Sequence, residues 1–374
     1  MFAYIVRRLL FVPPTLFVII LINFAVVQVL PGGPVEQMIA EISGEAIDAT
    51  GRISGNMGSE TGNSNTPQMG TTGNTSGAVE SKYRGAQGLP PEFIADLEKQ
   101  FGLDKPAHER FWLMLKNYIT FDFGESYFKD ASVVELVLEK MPVSISLGLW
   151  TTLLVYMISI PLGVAKAVRD GTKFDVWTSG IIIVGNAIPA FLFAILLIVL
   201  FAGGRYFDWF PLRGLYSENF SDMSTLQQIG DYFWHLALPV MSMVIGGFAG
   251  LAMLTKNSFM EEINKQYVTT ARSKGLTQKR VLYGHIFRNA MLIVIAGFPG
   301  AFIGILFSSS LIIEIVFSLD GLGLLGFEAA LNRDYPVMFA TLYFFGLLGL
   351  IVSIVSDVMY HVVDPRIDFE SRGA

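Results

Sequence analysis

Residues Gln266 to Asn289 read QYVTTARSKGLTQKRVLYGHIFRN, and the layout of the rest of the chain follows from them. The stretch is a basic, mostly polar island between two long apolar runs, too short to be a domain. A bilayer core takes about 20 apolar residues per helical span. An island between two such runs must emerge on one face of a membrane, so its chemistry serves something outside the lipid.

Composition agrees. Of 374 residues, 52% are hydrophobic and only 16% charged, and the mean hydropathy is +0.52. A soluble protein of this size cannot hide that much apolar surface and keep a wettable exterior, which makes this an integral membrane protein. A net charge of -6 speaks against a nucleic-acid partner. The absence of Cys excludes disulfides and thiolate metal sites. His108, His235, His285 and His361 are scattered singly, without HExxH or paired spacing, so no metal site is expected.

Six apolar runs predict an all-α polytopic fold. The first, Leu9 to Leu30, follows Arg7 and Arg8 and stops at Pro31-Gly-Gly-Pro34; it reads as a retained span and not as a cleaved signal. The others are Val143 to Ala165, Val176 to Phe201 with Pro189 in its middle, His235 to Leu254, Ala290 to Phe317, and Pro336 to Val358. Four segments follow: an N-terminal helix (1–34), a large external region (35–140), a five-helix core (141–364) with a basic loop at about 256–288, and a tail (365–374). Within the external region, residues 49–88 are Gly, Ser, Thr and Asn with almost no large apolar side chain, which predicts a low-complexity, mobile loop. From Pro91 to Tyr127 apolar residues return at helical spacing, predicting short helices.

Orientation follows from the short loops. Residues 256–288 carry seven Lys/Arg against two Glu, and 166–173 carry three against one Asp. Together with Arg7 and Arg8 they share one side of a six-span chain, and the positive-inside rule makes that side and both termini cytoplasmic.

Phe259, Ile263 and Tyr267 recur every four residues at the start of the island, with Glu261, Glu262 and Lys265 off that face, so a short amphipathic helix is expected. Gly275 supplies a residue able to end it in the left-handed conformation. Two readings fit the spacing: a docking knob for a cytoplasmic partner, or a connector lying on anionic lipid. No G-x-x-x-x-G-K-[ST] occurs, so ATP binding through a P-loop falls to another polypeptide if transport is ATP-driven. Gly321-Leu-Gly323-Leu-Leu-Gly326 has the letters of a dinucleotide fingerprint but lies between two spans without a preceding strand, so a turned connector is expected there. Gly246-x-x-x-Gly250 and Gly300-x-x-x-Gly304 are expected to let helices approach closely. Counting about 1.5 Å per residue along the spans puts Glu314 at the outer interface and Asp357 at the inner one, each expected in an interfacial pair.

Thr269-Thr270-Ala271 followed by Gly275 resembles the coupling loop of ATP-binding-cassette importer permeases, Glu-Ala-Ala-x-x-x-Gly, with Thr269 and Thr270 as departures. Those departures are similar to the dipeptide, oligopeptide and nickel branch, where Thr-Ala-Arg-x-Lys-Gly-Leu recurs, here Thr270 to Leu276. Further blocks resemble that branch in order: Phe101 to Pro106, Phe123 to Ser126, Glu314 to Phe317, Gly321 to Gly323, Leu331 to Pro336 and Asp364 to Ile367. The insertion near 49–88 and the ending resemble a peptide-importing member of that branch.

The resemblance implies a type I importer permease (MetI-like) core with an extra N-terminal helix. It implies that Phe259, Ile263, Tyr267, Val268, Thr269, Thr270, Ala271, Arg272, Lys274 and Gly275 form the helix that docks on the ATPase. Implied partners are a second homologous permease, cytoplasmic ATPase subunits that carry the ATP and Mg, a periplasmic substrate-binding protein and membrane lipids, in a bacterial inner membrane. No cofactor and no catalytic residue is expected in this chain. Two other classes remain open: an ion-coupled secondary transporter, and an intramembrane hydrolase pairing one of Ser308 to Ser310 with His235.

Overall fold

A computed structural model describes residues 2–29, 35, 39, 90–100, 104–204, 206–304 and 310–363. The expectations for 49–88, the tail 365–374, the Asp364 to Ile367 block and Ser308–Ser309 lie outside the described residues. Among the described residues the secondary structure is helical, with one isolated bridge between Glu125 and Ser132.

The helices, in order, are α1 (Phe2–Val29), α2 (Pro91–Gln100), α3 (Ala107–Ile119), α4 (Val133–Val168), α5 (Lys173–Ala187), α6 (Ala190–Phe201), α7 (Thr225–Ile263) and α8 (Gln266–Ser273). After these come α9 (Gln278–Gly304), α10 (Ser310–Val316), α11 (Leu322–Asn332) and α12 (Tyr335–Val363). Among the described residues five segments are long and apolar enough to cross a membrane: Ile5–Ala25 within α1, then α4, α7, α9, and Tyr335–Met359 within α12. The expected third span is bent by 91° between α5 and α6. Pro189 lacks an amide proton and disfavours helical geometry at Ile188, which sits extended with ψ at 118°.

The chain divides into two compact units. The larger comprises residues 1–15, 139–324 and 344–374. Its apolar core gathers Val143, Leu147 and Val155 of α4, Ala194 and Leu197 of α6, Leu236 and Met243 of α7, and Ile313 and Phe317 at α10. Helices α4 and α7 approach closely at Gly163, where a Cβ would lie 2.6 Å from Thr255 Cβ and 2.7 Å from the Ala252 oxygen. Of the four glycines expected to make such approaches, a Cβ on Gly250, Gly300 or Gly304 meets nothing within 4 Å, and one on Gly246 meets Ala190 Cβ at 3.9 Å, an ordinary contact. Arg8 pairs with Asp357 at 2.9 Å, the ionic partner expected for that carboxylate.

Glu314, expected in an interfacial pair, is fully buried within the chain. Its Oε1 accepts from Ser144 Oγ at 3.0 Å and its Oε2 from the Leu324 amide at 2.7 Å, while the Leu322 amide donates to Ser144 Oγ at 2.8 Å. The carboxylate and hydroxyl therefore cap the exposed amides at the start of α11, where a negative charge is favoured. A Cβ on Gly321 would overlap that carboxylate. The Gly321 to Gly326 letters thus encode a helix start already occupied by Glu314, and most of the expected connector is helix.

The smaller unit comprises residues 16–138 and 325–343. Helices α2 and α3 realise the expected short helices. Tyr118, Phe123 and Tyr343 stack edge-on, with centroids 4.6 Å apart for Tyr118–Phe123 and 5.6 Å for Tyr118–Tyr343. Arg110 bonds Gln28 at 2.9 Å and lies 5.9 Å over the Phe24 ring. Asp334 is buried and accepts bonds from Ser126 Oγ and the Tyr127 amide. Burial raises its carboxyl above the usual carboxylate range, against the lowering effect of those bonds.

Candidate functional site

The opening stretch has more structure than a single amphipathic helix. Helix α7 runs without a break from Thr225 to Ile263, so Phe259 and Ile263 belong to it. The chain breaks at Asn264 and Lys265, the latter extended at ψ 150°, and α8 begins at Gln266. The break is tied by Glu262, which pairs with Lys265 through Oε1 and accepts from the Tyr267 hydroxyl at 2.6 Å through Oε2. Burial and the bond to Glu262 push the Tyr267 phenol up, and the same carboxylate pushes the Lys265 ammonium up. Past Gly275, residues from Gln278 are helical again: a first turn, a π-helical segment Leu282–Ile286, then regular helix from Phe287. The helix of the expected fifth span therefore starts twelve residues earlier than the apolar pattern suggests, and its first turns share a core with α8 through Val281 and Ile286.

Gly275 ends α8 at φ +82°. Its amide bonds the Arg272 oxygen at 2.9 Å and the Leu276 amide the Ala271 oxygen at 3.4 Å, the paired bonds of a Schellman cap. No atom lies within 4 Å of a Cβ placed there, so the requirement for glycine is one of backbone conformation and not of space.

Helix α8 rests on a cluster built from Val164 and Ala167 of α4, Phe259 of α7, and Val281, Ile286, Ala290 and Val294 of α9. Val268 and Ala271 are its contribution to that cluster, with Val268 fully buried. Burying such a Val is worth about 1.5–3 kcal/mol. Ser258 Oγ bonds the Ala290 oxygen at 2.6 Å and joins α7 to α9 beside the platform. Of the ten residues in the expected docking set, Phe259, Val268 and Ala271 are buried within the chain and Ile263 and Tyr267 are half-buried. Thr269, Thr270, Arg272, Lys274 and Gly275 are exposed. The buried members hold the helix in place, and the exposed ones form the surface open to a partner.

Next to this platform lies a group of charges that the sequence reading treated only as a basic loop. Lys166, in the last turn of α4, is fully buried. Its Nζ donates to the Asp175 backbone oxygen at 2.9 Å, Thr178 Oγ1 at 3.0 Å and Ser179 Oγ at 2.7 Å, and lies 2.9 Å from Asp175 Oδ1 off the hydrogen-bond direction. Lys256 of α7 bonds Asp175 Oδ2 at 2.7 Å and pairs with Asp170 at 2.8 Å. The Gly171 amide also donates to Asp175 Oδ2, at 3.2 Å. Two lysines and two aspartates thus pin the α4–α5 turn to α7, about two helical turns before the end of α7. A buried ammonium is tolerated only when paired and fully bonded, which the surrounding oxygens provide. No periodicity marks these residues; the only signal is a Lys at the end of an apolar run with an Asp a short turn later.

A model of the binding-protein-dependent transport system inner membrane component family matches residues 159–369. That range takes in α8, its platform and the charge cluster. The chain belongs to this family. As a permease of this kind it is a multi-pass inner-membrane protein and the membrane subunit of an importer. It is 58% identical over 370 residues to the peptidoglycan transport system permease protein YejB of Agrobacterium fabrum, covering 99% of each chain. It is 59% identical to the inner membrane ABC transporter permease protein YejB of Escherichia coli O157:H7, covering 99% of this chain and all of that one. The oligopeptide transport system permease protein AppB of Bacillus subtilis is 31% identical over the same share of this chain.

Proposed function

We propose that this permease serves an ATP-driven importer of peptides or peptide-like compounds, and that α8 is where a separate ATPase subunit docks. The substrate class is supported by the names of the relatives, which concern peptidoglycan and oligopeptides. The docking role rests chiefly on one observation: α8 sits at the end of the 39-residue α7, with Val268 and Ala271 anchored beneath and Thr269, Thr270, Arg272 and Lys274 exposed. A push on that exposed face passes to α7 through Phe259, and through the Lys256–Asp175–Lys166 cluster to α4 and α5. A rigid linkage of this sort is what turns ATPase closure into rearrangement of the spans. On this reading α8 and both termini are cytoplasmic, in keeping with the basic loops. A second homologous permease completes the pathway, an extracytoplasmic binding protein delivers substrate, and nucleotide and Mg stay with the ATPase.

The test is Gly275→Val. A β-branched residue at φ +82° costs on the order of 1–3 kcal/mol locally and disrupts the cap of α8. Membrane insertion should be normal while ATPase co-purification and peptide uptake both fall. Normal co-purification and uptake in this variant would show that α8 is not the docking element.

A further inference from the structure

At the other end of α7, in the larger unit, a cavity of about 680 Å³ opens between the α6–α7 connection and the first turns of α7. Its charged lining is acidic: Asp208, Asp222 and Asp231. Among the described residues neither Asp208 nor Asp222 has a basic partner. Asp231 is fixed by Ser217, whose amide donates to it at 2.9 Å and whose hydroxyl donates at 2.5 Å.

His235 adds a second and independent feature. Its side chain is 5% exposed and lines the cavity, with Nδ1 2.9 Å from the Asp231 backbone oxygen. A carbonyl only accepts, so Nδ1 carries a proton, 3.5 Å from the Asp231 carboxylate, and in the neutral ring Nε2 offers a lone pair. Among the described residues nothing donates to that nitrogen. Three carboxylates and one imidazole acceptor call for a group made of donors alone. A metal ion does not fit, because no group of three acidic or His side chains among the described residues is placed to hold one. Trp209 and Trp234 supply ring faces in the same lining and are 56% and 54% exposed. Such rings attract cations and are over-represented where proteins meet.

Position decides the occupant. Helix α7 is 39 residues long, or about 58 Å at 1.5 Å per residue, and the cavity and α8 lie at its opposite ends. If α8 faces a cytoplasmic ATPase, the cavity faces the side from which a binding protein approaches; the inference rests on that reading. We propose that this cavity receives a Lys or Arg side chain projected by the extracytoplasmic binding protein, with the carboxylates and His235 Nε2 taking its N–H donors and the tryptophans flanking its stem. The volume is several times that of one such side chain, so the turn carrying it enters as well.

The experiment uses the complete transporter in nanodiscs and its own binding protein, with affinity measured at low and high salt. Asp208→Asn combined with Asp222→Asn removes two exposed charges that make no bond within the described chain. Binding at low salt should weaken about tenfold and its salt dependence should flatten, with ATPase co-purification unchanged; unaltered affinity overturns the proposal. A second arm compares uptake of basic and neutral peptides at saturating binding protein. If only basic peptides suffer while the affinity holds, the occupant is substrate and the proposal fails. Because the chain has no Cys, Glu218→Cys gives one reporter of sidedness. Labelling by an impermeant maleimide from outside is expected, and labelling only after permeabilisation overturns the proposal. Outside labelling with normal ATPase docking in Gly275→Val would instead count against the docking reading alone.

Discussion

Removing the Asp175 carboxylate should be among the most damaging single changes in the larger unit. Asp175 holds Lys166 at 2.9 Å and Lys256 at 2.7 Å, and Lys166 has no exposure at all. Breaking one half of a buried ion pair costs about 3–5 kcal/mol, because the remaining charge is left uncompensated. Two features place Asp175→Ala at the lower end. Lys256 keeps Asp170, which is half-exposed and contributes little, and Lys166 keeps three neutral oxygens that do not depend on the carboxylate. A loss of about 3 kcal/mol corresponds to about 6 °C in Tm at about 2 °C per kcal/mol, the figure for large domains. The assay is thermal unfolding of the detergent-solubilised permease, followed by loss of monodisperse protein. The informative partner is Asp175→Ala with Lys166→Met, in which both charges go and an apolar chain fills the site. Because replacing a buried pair by apolar residues is often neutral, the double variant should recover most of the loss. An unchanged Tm in Asp175→Ala, or a double variant no better than the single one, would refute the reasoning.

Other outcomes follow from the same geometry. Val268→Asp places a carboxylate in the platform under α8 and should lower both stability and ATPase co-purification, whereas Thr270→Asp, on the exposed face, should leave Tm within about 1 °C and affect co-purification alone. Gly163→Ala forces α4 away from Thr255 and should cost about 1–3 kcal/mol in the same unfolding assay, while Gly250→Ala, with open space around it, should leave the isolated permease unaffected. Asp334 has its folded-state pKa raised by burial, so its protonated form is the stabilising one. That contribution is complete below the ordinary carboxylate pKa and is lost as pH rises through the raised value; Asp334→Asn should flatten the decline of Tm over that window.

Much of the architecture was legible because apolar runs of bilayer length have few other uses, and the expected spans starting at Val143, His235 and Pro336 are all present as helices. Their ends were not legible. Helix α7 extends ten residues before His235 and nine beyond Leu254, since polar residues at helix ends are satisfied equally by water, headgroups or protein. Pro189 announced a break in the third span, but whether a proline kinks a span or turns it through 91° depends on packing against other helices. In the island, Gly275 was readable because a left-handed cap has few chemical solutions. The division of α8 into a buried and an exposed side was only half readable: eight residues are too few for a clear period, and the platform comes from α4 and α9. The Lys166–Asp175–Lys256 cluster was missed because Lys256 lies 81 residues from its carboxylate partner, and each residue alone passes for an ordinary loop charge. The bonds of Glu314 were not legible, because Ser144 and the amide it caps at the start of α11 belong to other helices.

The central claim is that the outward face of α8 meets an ATPase subunit. The chain contains no native Cys, so single-cysteine variants Thr270→Cys, Arg272→Cys and Val268→Cys can each be cross-linked to the co-expressed ATPase by a short thiol reagent. The account predicts adducts from the first two and none from Val268→Cys, whose side chain lies within the chain's own core. Adducts from Val268→Cys alone, or from none of the three while the complex still assembles, would contradict it.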